Sequence, residues 1–564
     1  SYLSGIAGDG SLTFSVQNGP FSVKISSALK KLNYSGFYRL NLRADGSSVT
    51  ELPGPAEVSL PLELDSGMHA DVWNISPSGA ATHIEPVFDG GRAVFSASLM
   101  QFYAVGTTDK ASVRQTVVCP YGECEYSLEG SGLKGSSVLE SMYLDNMGEI
   151  LFVPSSFGGC TLSAIGAGAF GGVVNAPAAV IPVTVEAFSW TAWSSQSIRD
   201  VYFLGDAPVF EGTAPEGVSV HHTGGPGWET GEADLEISVY SGSYRKDTYS
   251  FSYYIVGDSA VVHRFISGPY VQLPESVSAG GASYPLAYIG DSAFMFSKDK
   301  EIRERYKLEN ESRSVPEIVE LSGQVRGIHT GAFRDSALSA LYSAESVDHV
   351  WDCAFSGCAG LSNVSFSNGL VFIGEYAFSS CDGKAFTRFD APDTLKSIGK
   401  GAFYGCSCLS AVSLGKSLES VPDDCFGHCS GLTDLSIPDS VRSIGDRAFY
   451  GCSGLQFADL NKTETVGKDA FYSPYGTSVM EFAVFGENLA SLGQGAFGNC
   501  SRISELEVHC ERFPSFEGAF TDVDLDAISV FASDDVLDSW SEYSVRPIYE
   551  PEPRKDETLL LSVE

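Results

Sequence analysis

The sequence predicts a mainly β protein with short helical turns, in which repeat solenoid arrays follow an N-terminal antiparallel β domain. Three observations predict this fold class. A short phrase recurs at a nearly constant interval in the C-terminal half, alternating apolar runs separate its copies, and residues 1–110 alternate without the phrase. Recurring units that each carry a strand signal are typical of solenoids, because neighbouring units bury each other's apolar sides.

The repeat unit is marked by the phrase Ile/Val-Gly-x-x-Ala-Phe, often followed by x-Gly-Cys, as in IGKGAFYGC at 398–406. The Phe of each copy serves as a marker, and successive markers lie 22 to 26 residues apart. The markers are Phe333, Phe355, Phe378, Phe403, Phe426, Phe449, Phe471, Phe497 and Phe520. This interval predicts that the marker phenylalanines lie above one another in a stacked coil.

Between markers, short alternating runs such as LSNVSF (361–366), LSAVSL (409–414) and LTDLSIP (432–438) each predict one strand per coil. The apolar positions of one coil then meet the same positions of the next and form a continuous core. The Gly of the phrase suits a tight bend, and its Ala is small enough for the turn that carries Phe to pack closely.

These units resemble the BspA-type leucine-rich repeats of microbial and protist surface proteins, whose units carry an IGxxAFxxC phrase. The resemblance covers roughly residues 270–545 and implies a leucine-rich-repeat solenoid. Within it, 271–294 is similar to the family's array start, and 528–548 to its closing strand plus short helix. Residues 111–230 look like a shorter, degenerate array of the same kind, with ILFVPSSFGGCTLSAIGAGAF at 150–170.

The predicted organisation has five segments. They are a small antiparallel β domain (1–110), a short degenerate leucine-rich-repeat array with a cap (111–230), a β-strand region that leads into the main array (231–270), the main BspA-type solenoid with its C-terminal cap (271–548) and an acidic, Pro-rich tail (549–564). The charged, helix-prone stretch 297–312 interrupts the repeat, and we predict a surface excursion there.

The charge balance excludes one class of partner. The chain carries 71 acidic and 35 basic residues, a formal charge of −36, which is the wrong sign for binding nucleic acid. No apolar run reaches the length of a membrane span. Because the chain starts at Ser1 without an initiator Met or signal peptide, we expect a processed protein. Membrane attachment would then use an anchor outside this chain.

Seven of the thirteen cysteines fall three residues after a marker phenylalanine and so share one position in the coil. They are Cys160, whose marker is Phe157, and Cys358, Cys381, Cys406, Cys429, Cys452 and Cys500. Free Cys packs like a small apolar residue, so we predict a ladder of buried thiols. Cys119 and Cys124 lie outside this ladder, and a turn-closing disulfide and two free thiols are equally compatible with their spacing.

The sequence carries no nucleophile elbow, zinc-protease helix, Walker loop or dinucleotide fingerprint. We therefore predict that the chain is not an enzyme and has no catalytic residue, cofactor or metal. Cys425, His428 and Cys429 combine thiols with an imidazole, but the two cysteines fill the Ala and Cys positions of the repeat, and no second pair has zinc-site spacing. His221 and His222 are predicted to lie in a solvated cap loop.

A binding function would use the strand residues on either side of the buried central position, because stacking places them side by side. The candidate ligand-binding residues are Arg388, Asp390, Asp434, Phe457, Asp459, Phe482, Glu505 and Glu507. They combine acids with two neighbouring aromatic residues. The alternative is a solvated sheet face with Phe457 and Phe482 shielded by a loop.

The leading hypothesis is a secreted, non-catalytic cell-surface adhesion protein that binds a protein or glycan of a host, neighbouring cell or matrix, as the resemblance implies. The alternative is a structural surface-layer or filament component that self-associates through its modules. The third hypothesis is an enzyme with its site outside the main array. An extracellular, cell-surface location is implied by the resemblance as well.

Overall fold

The computed structural model describes strands between residues 12 and 144 and most of 150–532, with gaps at 158–159, 174–175, 193–197, 229–233, 309–315, 384–385, 475 and 511–517, and then residues 546–547. The chain divides into two compact units, Ser1–Arg114 and Gln115–Glu564. No helix in the described part of the chain is long and apolar enough to cross a membrane. The predicted tail at 549–564 lies outside the described residues.

The N-terminal unit contains two antiparallel sheets, in agreement with the predicted fold class. One sheet comprises Leu12–Asn18, Asn33–Ala44, Ser47–Val49, Met68–Ile75, Ala81–Ile84 and Phe102–Asp109. The other comprises Glu51–Pro61, Val87–Asp89 and Arg92–Leu99.

The second unit begins with a short solenoid that we call the first array (residues 115–228). Its first sheet contains Arg114–Cys119, Gly122–Glu129, Ser136–Leu144, Ser156–Phe157, Cys160–Ile165, Gly172–Val173, Ala187–Ser189 and Val209–Glu211. Its second sheet is the parallel column Leu151–Phe152, Ala178–Ile181, Asp200–Phe203 and Ser219–His222. A 3₁₀ turn, Trp190–Ala192, follows the Ala187–Ser189 strand.

The remaining coils form the second array (residues 238–532). It starts with an antiparallel meander of three strands, Ser238–Tyr244, Asp247–Val256 and Ser259–Ser267. The last of these strands also pairs parallel with Ala282–Ile289, the first strand of the parallel sheet. Ser136–Leu144 makes the same transition in the first array, pairing antiparallel with Gly122–Glu129 and parallel with Cys160–Ile165. The two arrays therefore start in the same way.

One strand of each coil of the second array lies just before the Ala-Phe turn, in what we call the motif column. Its strands are Ala282–Ile289, with Ser276–Ala279 beside it, and then Gly327–Ile328, His349–Val350, Phe372–Ile373, Ser397–Ile398, Ser420–Val421, Ser443–Ile444, Thr465–Val466 and Ser491–Leu492. The ladder breaks before Ser420–Val421. Pro422 explains the break, because it occupies the Gly position and has no N–H to donate to Ile398, whereas Gly399 donates its N–H to Ile373 at 2.7 Å.

The other strand of each coil belongs to the face column. Its strands are Tyr270–Gln272, Ile318–Glu320, Ala340–Ala344, Asn363–Phe366, Arg388–Asp390, Ala411–Ser413, Asp434–Ser436, Phe457–Asp459, Phe482–Phe485, Glu505–Val508, Ser529–Ala532 and Arg546–Pro547. The predicted closing strand is thus present, after a 3₁₀ turn at Leu525–Ala527. The short helix expected with it lies outside the described residues.

The marker phenylalanines stack as the interval predicts. From Phe294 to Phe520 the rings follow one another at centroid distances of 4.8 to 5.5 Å and interplanar angles of 4° to 14°. Each marker also donates its backbone N–H to the carbonyl of the motif Ala in the next coil, as Phe355 does to Ala377 at 2.7 Å. Phe403 does the same to Cys425, which confirms that Cys425 fills the Ala position.

The seven repeat cysteines are free, buried thiols, as predicted, but Cys160 does not share the position of the others, because it pairs with Phe157 in a hairpin and begins the strand Cys160–Ile165. Each of these thiols in the second array donates to the backbone carbonyl of the marker in the preceding coil, for example Cys406 to Phe378 at 3.0 Å and Cys452 to Phe426 at 3.0 Å. Close contact between adjacent coils explains why the motif has Gly at this position. A Cβ on Gly399 would lie 2.3 Å from the backbone nitrogen of Glu375, so the coils could not approach this closely.

The two arrays pack against each other through an apolar cluster. From the first array it contains Phe152, Ala178 and Val180, and from the second Tyr254, Val256, Val261, Ala287, Tyr288 and Trp351, with Leu235 between them. Two coils depart from the motif here, because His329 and Trp351 occupy the Gly position. The His329 ring lies 4.2 Å from Phe152 and 5.1 Å from Trp351. Both coils lie at the contact with the first array, whereas Pro422, which also replaces the motif Gly, lies in a coil further along the second array.

The charged interruption of the repeat forms one helix, Lys300–Arg305, whose N-terminus is capped by the Asp299 carboxylate. The expected surface excursion is only partly correct. Tyr306, at the helix end, is 1% exposed, and its hydroxyl lies 3.1 Å from that of Thr161 in the first array. Lys307 forms an ion pair with Asp206, also in the first array. The segment thus joins the two arrays.

Two further expectations can be compared with the structure. His221 and His222 do not lie in a solvated loop but on the strand Ser219–His222, which pairs with Asp200–Phe203. Pairing into this cap strand lets His221 bond Asp234 at 2.8 Å and buries His222 against Trp228. Cys124 is disulfide-bonded, and the side chain of its expected partner, Cys119, lies outside the described residues.

Candidate recognition face

The candidate binding residues lie on the face column of the second array, and the alternation of the strands determines which of them face outward. The central residues Phe389, Leu435 and Ala458 are buried, whereas the residues on either side of each are exposed. The parallel core beneath holds these strands in register, so side chains at equivalent positions become neighbours.

The structure divides the eight candidate residues between two sheets. Arg388, Asp390 and Asp434 lie on the three-stranded sheet that ends at Asp434–Ser436. The other candidates lie on the next sheet, which starts at Phe457–Asp459. The Arg388 guanidinium bonds the Asp390 carboxylate of its own strand at 2.7 Å, so the cation of this group already has a partner.

The second of these sheets brings together five candidates, which we call the aromatic–acidic patch: Phe457, Asp459, Phe482, Glu505 and Glu507. The register places Phe457 beside Phe482 and Phe482 beside Glu505. Two residues further along each strand, Asp459 and Glu507 lie on either side of Val484. Adjacent strands lie about 4.8 Å apart, so the five residues lie within about 10 Å of each other across the sheet.

The aromatic residues of the patch differ in exposure. Phe457 is 44% exposed, whereas Phe482 is half-buried. The loop shielding that was the alternative to a binding face therefore does not cover Phe457. The strands at the far side of the patch add Phe531, which is half-buried and paired with Glu507.

The acids of the patch keep local contacts. An Asp459 carboxylate oxygen accepts the backbone N–H of Asn461 at 2.9 Å, and Glu507 lies 2.9 Å from the His509 imidazole. None of the four strands Phe457–Asp459, Phe482–Phe485, Glu505–Val508 and Ser529–Ala532 carries Lys or Arg. The patch is therefore acidic as well as aromatic.

Tyr342 is an exposed aromatic residue on the same column that sequence reasoning missed. It lies on Ala340–Ala344 and is 37% exposed. The run LSALYS at 338–343 carries the same strand signal as the later coils, so extending the alignment by one coil would have found it.

A second group of ionisable side chains lies where the arrays meet. Asp352 and Glu375 occupy the same position of adjacent coils and are 8% and 9% exposed, and an Asp352 oxygen accepts the Glu375 N–H at 2.8 Å. Burial raises the pKa of Asp352 to about 7. Burial, and then the charge of Asp352, raises the pKa of Glu375 to about 8. Tyr126 of the first array is buried beside both, and burial followed by these two charges raises its pKa.

In the part of the chain that the structure describes, no three His, Cys, Asp or Glu side chains are arranged to hold a metal ion. Asp423 occupies the same position of its coil as Asp352 and Glu375 but is exposed, and its carboxylate accepts the Asp446 N–H at 2.7 Å. The first array therefore sets the environment of the two buried carboxyls.

The sequence model described as BspA type leucine rich repeat region matches six copies, over residues 287–384, 326–430 and 382–504. We call the matched span, residues 287–504, the BspA-type region because it is similar to the repeats of this family. The BspA-type region includes the marker stack from Phe294 to Phe497 and three of the five patch residues, Phe457, Asp459 and Phe482. Comparison with curated proteins gives no match.

Several solved structures are similar to this chain. A leucine-rich repeat protein from Bacteroides ovatus is 23% identical over 52% of this chain and 79% of that chain, with a TM-score of 0.35. The leucine-rich repeat protein of T. pallidum is 27% identical over 36% and 87%, with a TM-score of 0.31. A leucine-rich cell surface protein from Faecalibacterium prausnitzii is 17% identical over 54% and 97%, with a TM-score of 0.23.

Proposed function

We propose that this chain is a non-catalytic cell-surface recognition protein that binds a protein or glycan ligand through the aromatic–acidic patch. The ligand would be carried by a host, a neighbouring cell or the matrix. The observation that supports this proposal is the exposure of Phe457 beside Phe482 on a sheet that also presents Asp459, Glu505 and Glu507. Exposed aromatic side chains in a rigid frame are typical centres of binding energy.

An extracellular location forms part of the same proposal. Cys124 is disulfide-bonded, and structural disulfides persist in oxidising compartments. The eleven free cysteines do not conflict with such a compartment, because ten of them are buried, and burial raises the pKa of the Cys406 thiol to about 12. Thiols that stay protonated and covered are poor substrates for oxidation.

The test compares two matched variants of the full chain. We expect F457S/F482S to weaken binding at least about ten-fold for each matrix protein or glycan that the wild type binds, because it removes the aromatic centre of the patch. Y342S is the control, since it removes an exposed aromatic residue from the same column outside the patch. Binding would be measured by surface plasmon resonance against a panel of matrix proteins and oligosaccharides. Unchanged binding by F457S/F482S to every ligand of the wild type would exclude the patch.

A further inference from the structure

We infer that the strand Ser238–Tyr244 is a self-association surface, on which a second copy of this chain adds its own Ser238–Tyr244 strand antiparallel about a twofold axis at Ser241. This inference is independent of the proposed function, because the strand shares no residue with the aromatic–acidic patch. It depends on three features: an open strand edge without protective charges, a self-complementary register and a strained basic turn at the end of the strand.

Ser238–Tyr244 is the edge strand of its nine-stranded sheet, and among the strands that the structure describes only Asp247–Val256 pairs with it. The face-column strand Tyr270–Gln272 also lies near, but it pairs with Ile318–Glu320 instead. Both strands line a groove of about 500 Å³, which leaves the edge of Ser238–Tyr244 accessible. A further strand can therefore reach its backbone groups.

The edge strand lacks the features that normally prevent strand addition. Its sequence, SVYSGSY, contains no charged residue and no Pro, and it pairs with Asp247–Val256 without a bulge. Val239, on its outward face, is 61% exposed. An uncharged edge strand of this length that presents an exposed β-branched residue is a template for another strand.

The hairpin determines which backbone groups point to the open edge. In a two-residue hairpin the residues that flank the turn exchange both backbone hydrogen bonds, and here these residues are Tyr244 and Asp247. Because the pattern alternates, Val239, Ser241 and Ser243 direct their N–H and C=O groups to the open edge. An antiparallel register centred on Ser241 places Val239 opposite Ser243 of the second copy, so all of these groups are paired.

The same register joins opposite charges at both ends of the paired strands. It places Glu236 of each copy opposite Lys246 of the other, and both residues are exposed. Opposite charges in cross-strand positions stabilise strand pairing. Registers centred on Val239 or Ser243 would leave Glu236 opposite an uncharged residue. The charges therefore select the register that Ser241 centres.

The basic turn is kept in a strained conformation. Arg245 and Lys246 have φ values of 50° and 74°, in the left-handed region, where turns of this kind favour Asn and Gly. The Arg245 guanidinium lies 5.2 Å from the ring centroid of Tyr244 and 5.6 Å from that of Tyr270, which leaves Lys246 as the exposed cation at the strand end. Strained residues are concentrated at functional sites, in agreement with a role for this turn in pairing.

A second copy fits this edge better than a foreign strand. The occupant must carry a base at one end and an acid at the other with an uncharged segment between them, and residues 236–246 of the chain have this pattern themselves. Pairing about a twofold axis uses the edge of each copy, so the product is a dimer and not a filament. The net charge of −36 opposes association, but repulsion between exposed charges is screened beyond about 8 Å at about 0.15 M salt.

The test measures the mass of the full chain against concentration by analytical ultracentrifugation at about 0.15 M salt. We expect the wild type to show a monomer–dimer equilibrium. S241P should weaken the dimer at least about ten-fold, because it removes the N–H at the centre of the pairing from both copies. E236K and K246E should each weaken it at least about five-fold, because like charges then lie opposite each other at both ends. The double variant E236K/K246E should restore the wild-type equilibrium.

The matched control for S241P is S241A, which keeps the N–H and should dimerise as the wild type does. E236K and K246E change the net charge in opposite directions, so an effect of net charge alone would weaken the dimer in one variant and strengthen it in the other. A wild type that stays monomeric at every concentration would overturn the inference. So would a dimer that S241P leaves unchanged, or one that E236K/K246E does not restore. Circular dichroism of each variant checks that its fold is retained.

Discussion

The first and second arrays use the same coil, yet their cores are ordered differently. In the second array the marker rings are nearly parallel, as Phe378 and Phe403 are at 4°. In the first array the marker Phe170 is tilted 39° to its neighbour Phe188, which pairs with Ile165 and so lies at the Ile position of the motif. The backbone rule is nevertheless kept, since Phe170 donates its N–H to the Ala192 carbonyl at 2.9 Å. The coil therefore depends on the backbone ladder, whereas the ring geometry depends on the regularity of the repeat.

The largest expected effect tests the difference in ring packing between the two arrays. Replacing Phe403 by Ala removes a fully buried ring between two parallel neighbours that cannot close the gap, so we expect a loss of about 3–5 kcal/mol in the free energy of unfolding. Phe170→Ala is the matched change in the first array, because Phe170 is a fully buried marker whose ring is tilted 39° to Phe188. Its inclined neighbour can shift into the space, so its loss should be smaller. Urea unfolding of both variants measures this, and a larger loss for Phe170→Ala would contradict the comparison.

The second expected effect concerns the contact between the arrays. Trp351→Gly restores the repeat motif but removes an indole that is 4% exposed in the cluster between the arrays. We expect about 2–4 kcal/mol less stability, confined to that contact. Hydrogen exchange should accelerate in Ala178–Ile181 of the first array and stay unchanged in Phe482–Phe485. Uniform acceleration in both strands would show that Trp351 stabilises the second array instead.

The smallest expected effect is a pH dependence that arises only where the first array covers the second. Because burial raises the pKa of Asp352 and Glu375 to about 7 and 8, both carboxyls bind protons in the folded chain at a pH where the unfolded chain has released them. Stability therefore decreases as the pH rises towards these values. The slope is at most about 1.4 kcal/mol per pH unit for each group.

The same contact contains a group with the opposite dependence. Burial lowers the pKa of His329 to about 3, so this imidazole favours unfolding as the pH falls below about 6.5. The carboxyl effect should accordingly be clearest between pH 6.5 and 8. We expect D352N/E375Q to flatten the decrease in the urea midpoint over this range, whereas D423N, at an exposed equivalent position, should leave it unchanged. A wild-type midpoint that is constant from pH 6.5 to 8 would contradict the assignment.

Much of the second array could be predicted because its information is local and repeated. The interval between markers predicted the ring stack, and the position of Cys425 in the motif predicted its burial. The pairing of Phe457 with Phe482 also followed from the alignment of equivalent strand positions. The break of the face column between Asp434–Ser436 and Phe457–Asp459 could not be predicted, since the strand signals on both sides of it are the same.

The sequence by itself determined the coil, because the contacts within the array join equivalent positions of adjacent repeats and the repeat occurs many times. Only the tertiary structure decided what differs between equivalent positions. Asp352 and Asp423 occupy the same place in their coils, but the first array covers one and leaves the other in water. The contact between the two arrays joins residues that are far apart in the chain. Phe152 and His329, for example, are 177 positions apart and are not related by the repeat interval. Burial, charge state and exposure follow from such contacts, and the repeat pattern does not predict which residues make them.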